Sequence, residues 1–192
     1  GTLRADGRRN LGMAFVPEER LGRGAVPPMS LSDNALLTGH RTGMVRFGLI
    51  DDALARVFAE RCVEDFDVRC AGVHATARSL SGGNLQKFIV GREILQNPRV
   101  LVVAQPTWGV DVGAAAAIRQ ALIDLRNAGV AIFVVSEELE ELFEICDRIA
   151  VIADGRLSPV KRSSDTDMEE IGLWMSGMFP GGPAAEDVSH AV

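Results

Sequence analysis

The sequence predicts an α/β fold: a mostly parallel sheet with helices on both faces. Three observations predict it. Arg99–Val103 and Val130–Val135 are continuous apolar runs of buried-strand length. Gly113–Ala128, between them, places Ile118, Ala121, Leu122 and Leu125 on one helical face. From residue 99 onward the pattern alternates as β-α-β-α-β, which joins parallel strands through crossover helices.

The elements follow in order. Gly1–Asn10 is polar and turn-like, and Gly12–Val16 reads as a short buried strand ending at Pro17. Pro27-Pro28 breaks the chain before Ser30–Leu37, a short helix for which Ser30 or Ser32 supplies the cap. Gly39–Gly48 reads as a loop. Across Asp51–Phe66, Leu54, Val57, Phe58, Cys62 and Phe66 recur at helical spacing, with Asp51-Asp52 at the helix N-terminus. Val68–Ser79 is a connector. Gly82–Leu95 is a helix with Leu85, Phe88, Ile89 and Leu95 inward, stopped by Asn97-Pro98.

Gly129 ends the helix after the first long strand. Ser136 is the expected N-cap of a helix carrying Leu139, Leu142, Phe143 and Cys146, with Glu137 and Glu138 in its first turn. Glu137–Glu141 reads as a solvated helix face. Arg148–Ile152 is a third strand, with Asp154-Gly155 as a tight turn behind it. Asp165–Met178 reads as a last helix with Met168, Met175 and Met178 as packing residues. The stretch 180–192 is small and polar and is expected to be a disordered tail.

Bulk properties exclude several classes. The 192 residues are 47% hydrophobic, enough for one folded domain or a large piece of one. No apolar run approaches the roughly 20 residues that span a bilayer, and the N-terminus shows no signal-peptide pattern. A net charge of -6 argues against nucleic acid as a partner. Arg8-Arg9 and Lys161-Arg162 read as solvated surface pairs. Cys62, Cys70 and Cys146 form no CxxC pair and the three histidines are scattered, so no zinc site is expected and free thiols fit a reducing cytosol.

One helix start carries chemistry. In Ser81-Gly82-Gly83 two glycines let backbone N–H groups approach a ligand closely. The helix dipole adds favourable potential for an anion, and the serine adds a donor. That is a phosphate site in outline; by itself the same tripeptide also makes a plain N-capped helix.

The surrounding motifs resemble the ATP-binding-cassette family. Within it the chain is most similar to the C-terminal half of tandem ATPases that drive simple-sugar and nucleoside importers. Phe15-Val16-Pro17-Glu18-Glu19-Arg20 looks like the Q-loop region, and Met29–Leu37 resembles the segment after it. Ser79–Val90 matches the signature helix, with Asn84 in place of the commoner glutamine. Val100–Asp111 matches Walker B and the D-loop, and Ile132–Leu142 the H-loop strand and helix. Arg148–Leu157 matches the closing strand and turn. The resemblance implies a P-loop NTPase-like core with an α-helical signature subdomain. It implies a partial nucleotide-binding domain over 1–179, about 18–97 being the helical and signature subdomain and 98–160 the core sheet and helices.

The departures from the family pattern fall on the chemistry. A Walker A loop needs a lysine after glycine and before serine or threonine. Lys87 and Lys161 meet neither condition, so that motif is expected upstream of residue 1 and the domain is read as incomplete. The magnesium-site aspartate position holds Ala104, leaving no metal ligand there. The catalytic glutamate position holds Gln105, which has no usable basicity at pH 7. The H-loop histidine position carries Glu137 and the Q-loop glutamine position Glu18.

In the family two such domains pair head to tail, each ATP lying between the Walker motifs of one and the signature of the other. The resemblance therefore implies that Ser81, Gly82, Gly83 and Asn84 contact ATP held, with its Mg, mainly by a partner domain. Asp111 of the D-loop would reach across the same interface. Trp108 fits either an interface contact or packing. The implied partners are the N-terminal cassette domain of the same subunit or a second copy, a membrane permease and, indirectly, a periplasmic or lipoprotein solute-binding protein. The implied location is the cytoplasmic side of the membrane, peripheral through the permease. The isolated chain is expected to lack ATPase activity. The rival expectation is a non-transport, cassette-like scaffold or regulatory domain.

Overall fold

The computed structural model describes residues 2–179, so the expected tail at 180–192 lies outside the described residues. The chain divides into two compact units, Gly1–Glu137 and Glu138–Val192.

The first unit runs α1 (Ala5–Asn10), β1 (Met13–Val16), α2 (Leu31–Gly39), β2 (Val45–Arg46), β3 (Leu49–Ile50), α3 (Asp52–Asp65), α4 (Gly82–Ile94), β4 (Val100–Ala104), α5 (Val112–Asn127) and β5 (Ala131–Val135). Its sheet is parallel in the order β1-β4-β5. The register aligns Phe15 with Val102 and Val102 with Phe133. Because side chains alternate across a strand, Ala14, Val16, Leu101 and Val103 share one face and are all buried. The helices α4 and α5 pack together; α4 also meets β1, and α5 meets β5. Phe88 and Ile89 of α4 are fully buried in this layer. On the opposite face Phe15, Val100, Phe133 and Val135 are exposed.

The helix starts follow capping chemistry. Ser30, not Ser32, caps α2, and a capping box with Asp33 closes it. Asp51 caps α3 through the Leu54 amide. Asn34, fully buried in α2, accepts from the Val26 amide and donates to the carbonyls of Val26, Met29 and Ser30. It thereby fixes the turn that precedes its own helix.

Several expectations are corrected. Residues 5–10 are helical rather than turn-like, and Arg9 is paired with Glu93 at 3.0 Å rather than solvated. The 39–48 loop contains β2, half of a hairpin with β3. The inward face of α3 is Ala55, Ala59 and Cys62, while Val57 points outward. Here α3 lies against α2 and α4, where small side chains allow close approach. The run Val130–Val135 forms a strand but not a buried one: among the described residues β5 pairs with β4 only, and Phe133 and Val135 point to the sheet face on which Phe15 and Val100 are also exposed.

The second unit contains α6 (Leu139–Ile145), β6 (Arg148–Ile149), β7 (Ile152–Ala153), β8 (Arg156–Leu157), β9 (Lys161–Arg162) and α7 (Met168–Met175). The expected third strand splits in two. Arg148 and Ile149 pair antiparallel with β9, and Ile152 and Ala153 pair with β8. The β7–β8 turn is Asp154-Gly155, with φ 50° and 71°, the left-handed pair that suits a two-residue hairpin. Glu138 rather than Ser136 is the N-cap of α6. Glu141, expected on a solvated face, is 2% exposed. Ile149, Val151, Ile171 and Trp174 form the core of this unit, flanked by Leu139, Leu142 and Phe143. Lys161 bonds Glu170 and sits 5.4 Å from the centre of the Trp174 ring, so it too is engaged rather than solvated. Met168, Met175 and Met178 stand exposed instead of packing.

Candidate functional site

The site is built where α4 begins. Ser81 holds an extended backbone and its hydroxyl accepts from the Asn84 amide, which starts the helix at Gly82. Ser81 and Gly82 are exposed, whereas Gly83 is buried. Asn84 is turned inward: its Nδ2 donates to Ser81 Oγ at 2.9 Å and its Oδ1 accepts from the Arg69 amide at 2.8 Å. It braces the serine and the preceding loop. The exposed helix end thus offers a hydroxyl, glycine backbone and the positive end of the dipole to an anion.

The loop between β4 and α5 sits directly beside it. Asp111 caps α5, its Oδ1 accepting from the Ala114 amide at 2.9 Å. That bond holds the carboxyl below its ordinary pKa, so Asp111 stays ionised at neutral pH. Its other oxygen lies against Gly83: a β-carbon built on that glycine would come within 3.0 Å of Oδ2. Glycine at 83 is therefore a packing requirement as well as a backbone one.

Gln105 and Glu137 are neighbours. The left-handed Gln105 backbone (φ 48°) turns the chain out of β4. Its amide donates to the Val135 carbonyl at 2.7 Å. Its Oε1 lies 3.5 Å from Ser136 Oγ and 3.4 Å from the Glu137 amide. The side chain is neutral and occupied as an acceptor. Glu137 itself is exposed. Glu18, Ala104 and Trp108 line a cleft of about 730 Å³ together with Arg9, Arg23 and Arg92. Trp108 is 60% exposed.

This donor set does not fit a divalent cation. Ala104 ends β4 with a methyl group that cannot ligate. Among the described residues no group of three or more His, Cys, Asp and Glu could hold a metal. The helix end at Ser81-Gly82 does fit a phosphate.

Two residues that lie within matched motifs but were given no role there tie the site together. Arg20 donates to the Trp108 carbonyl. Gln86, fully buried one turn into α4, donates to the Pro106 carbonyl at 2.9 Å. Gln86 stands between Leu85 and Lys87 in a helix that also carries Asn84, Arg92 and Glu93, so nothing in its local pattern marks it as buried. Arg20 closes the stretch matched to the Q-loop region, but that match assigned it no contact with the Trp108 turn.

No protein-family model matches the chain. Individual relatives do. Over 166 residues it is 44% identical to the nucleoside import ATP-binding protein NupA of Lactococcus lactis subsp. cremoris, covering 86% of this chain and 33% of the relative. Over 171 residues it is 44% identical to the glucose import ATP-binding protein TsgD13 of Haloferax volcanii, covering 86% and 31%. The chain is therefore similar to a segment of import ATP-binding proteins. A solved cassette, dimeric and in a post-hydrolysis state with ADP and Pi, superposes with a TM-score of 0.70 at 21% identity, over 84% of this chain and 68% of that one. That likeness is one of fold, and it agrees with the α/β architecture expected from sequence. This chain spans about a third of the length of the curated relatives it matches. Among its described residues no helix is long and apolar enough to cross a membrane.

Proposed function

We propose that this chain is part of the ATP-binding subunit of an importer for a simple sugar or nucleoside, and that its α4 N-terminus completes an ATP site held mainly by another cassette domain. One observation carries the reading. The helix end at Ser81-Gly82 is capped, glycine-lined and open to solvent. The chain's own hydrolytic positions are Ala104 and a neutral Gln105 whose oxygen faces Ser136 and Glu137. Import ATP-binding proteins for nucleosides and glucose, each sharing 44% identity with it, support the transport context.

On this reading Ser81, Gly82 and Gly83 face the γ-phosphate of the partner-bound ATP, and Asn84 keeps the serine in place. Asp111 lines the same interface. Mg is carried on the partner's side, because nothing at Ala104 can hold it. Glu137 sets a negative charge where a histidine would otherwise approach the phosphate, and Glu18 occupies the corresponding Q-loop position. Residues 18–97 form the subdomain that meets a permease, and 98–160 form the core. The subunit works at the cytoplasmic face, peripheral through that permease, with a solute-binding protein acting upstream.

The test is Ser81→Arg in the full-length protein reconstituted with its permease. The arginine places bulk and fixed charge in the shared phosphate site, so ATP turnover falls by about 100-fold or more. Unchanged turnover removes the cross-site role. A scaffold function predicts instead that no permease copurifies and that turnover is absent from the start.

A further inference from the structure

We infer that Arg20 is a positioning residue that ties the Gln105–Gly109 turn to the α4 helix end, so that the two respond to nucleotide as one body. The inference rests on the cross-site role just proposed, but its physical core can be tested apart from it.

The geometry is specific. One Arg20 nitrogen, Nη2, donates to the Trp108 carbonyl. The other, Nη1, lies 2.8 Å from where a β-carbon on Gly82 would sit. The same guanidinium borders Gly109, with Nη2 3.6 Å from a β-carbon built there. One planar cation therefore touches the residue after the exposed serine and the backbone that follows Gln105. Arginine suits this task because its fork is rigid and always charged.

The turn is held from a second side. Gln86, from within α4, donates to the Pro106 carbonyl. Two carbonyls of one turn, Pro106 and Trp108, thus take hydrogen bonds from two elements distant in sequence. Arg20 sits two residues after Glu18, in the segment that lines the cleft beside Ala104. A shift of that segment therefore moves the Trp108 carbonyl and releases or tightens the contact at Gly82. Gly82 has no side chain to fill the space that the guanidinium uses, which explains a glycine there beyond any need of the phosphate.

The experiment uses the full-length protein with its permease, with Trp108 left as its sole tryptophan. Arg20→Ala frees the turn, so Trp108 anisotropy falls, kcat drops about tenfold and KM stays within about twofold. Thermal stability changes little, since Arg20 is partly solvent-exposed. Arg20→Lys, which keeps one donor, restores part of both signals. Gly82→Ala pushes the guanidinium aside and lowers the anisotropy like Arg20→Ala, and the double variant is no worse than either. Unchanged anisotropy in Arg20→Ala overturns the inference, and so does a kcat loss that merely tracks a fall in Tm. If Ser81→Arg leaves turnover intact while Arg20→Ala still mobilises Trp108, the tie stands and the cross-site role fails.

Discussion

Gly83 and the Asp111 carboxylate are in such close contact that they act as one packing unit: a β-carbon on Gly83 would meet Oδ2 at 3.0 Å and the Ala114 methyl at 3.3 Å. The carboxylate cannot swing away freely, because its Oδ1 caps α5. Gly83→Ala therefore forces the cap or the helix to give. It lowers stability by about 1–2 kcal/mol, read from the urea midpoint. Gly82→Ala meets only the movable end of Arg20 and shifts stability by no more than about 0.5 kcal/mol. Equal midpoints for the two variants would show that the contact with Asp111 is unimportant.

Arg92 is the most demanding buried charge. Its Nη1 and Nη2 donate to the carbonyls of Asn34 and Gly24 at 3.1 and 2.9 Å, and Nε meets Glu93 at 3.2 Å. Burial lowers its pKa, and the adjacent Glu93 acts in the opposite direction. Arg92→Met removes two buried bonds to backbone carbonyls and leaves Glu93 with Arg9 alone, at a cost of about 3 kcal/mol or more. Arg23→Ala breaks an exposed i,i+4 pair with Glu19 and costs no more than about 0.5 kcal/mol. Equilibrium unfolding of both variants decides it, and similar losses would remove the distinction.

How much of this was legible in sequence depends on the kind of signal. The strand β4 shows plainly because five consecutive apolar residues admit little else, and the α4 start shows because a serine cap precedes the inward positions Leu85, Phe88 and Ile89. The hairpin of β2 and β3 was hidden. Its left-handed turn falls on Phe47 (φ 53°) and Gly48, and an aromatic is a poor turn signal. Phe47 and Leu49 are exposed, so no buried face sets a two-residue period. On α3 the apolar count favoured Val57 over Ala55 and Ala59, since periodicity weighs size, while helix packing selects smallness. At the site, residues in the family's motif positions could be read one by one. Arg20 and Gln86 act by reaching backbone carbonyls far along the chain, and such partners leave no trace in local pattern.

Cys62 is the thiol that stays silent. It is fully buried, its Sγ donates to the Phe88 carbonyl at 3.3 Å, and burial pushes its pKa up to about 12 from an ordinary 9.0. A thiol whose folded pKa is raised stabilises the fold fully below the unfolded value, and that contribution is lost as pH climbs from about 9 toward 12. At pH 8 a disulfide reagent labels Cys62 only at the rate of unfolding, far more slowly than in 6 M urea. Rapid native labelling of Cys62, located by peptide mapping, would contradict the burial.

Glu170 makes the second unit sensitive to acid. Bonds from Lys161 Nζ and Thr166 Oγ1 hold its carboxyl below the ordinary 4.5. A depressed folded pKa means that the contribution is present above the unfolded value and is lost as pH falls through the folded one. The loss therefore begins below about pH 4.5. Protonation releases Lys161 from its position over the Trp174 ring. With Trp108→Phe as background, Trp174 fluorescence changes with a midpoint below 4.5, and Glu170→Gln abolishes the transition. A midpoint at or above 4.5 would show that the bonds do not persist in solution.

The uncovered face of the sheet in the first unit sets the behaviour of the 192-residue chain on its own. Phe133 is 61% exposed, Val135 49% and Phe15 43%, all on one side of three parallel strands. Parallel sheets are stable chiefly when both faces are covered. A contiguous apolar patch beside a strand edge that is unpaired among the described residues invites association. The chain alone therefore sediments as dimers or larger species at micromolar concentration. Phe133→Ser, which removes the largest exposed side chain from the edge strand while leaving its backbone pairing with β4, shifts the distribution toward monomer. Phe47→Ser, at a fully exposed hairpin tip far from that face in sequence, serves as the control and leaves the distribution unchanged. Equal effects of the two substitutions would mean that general surface hydrophobicity, rather than this face, drives the association.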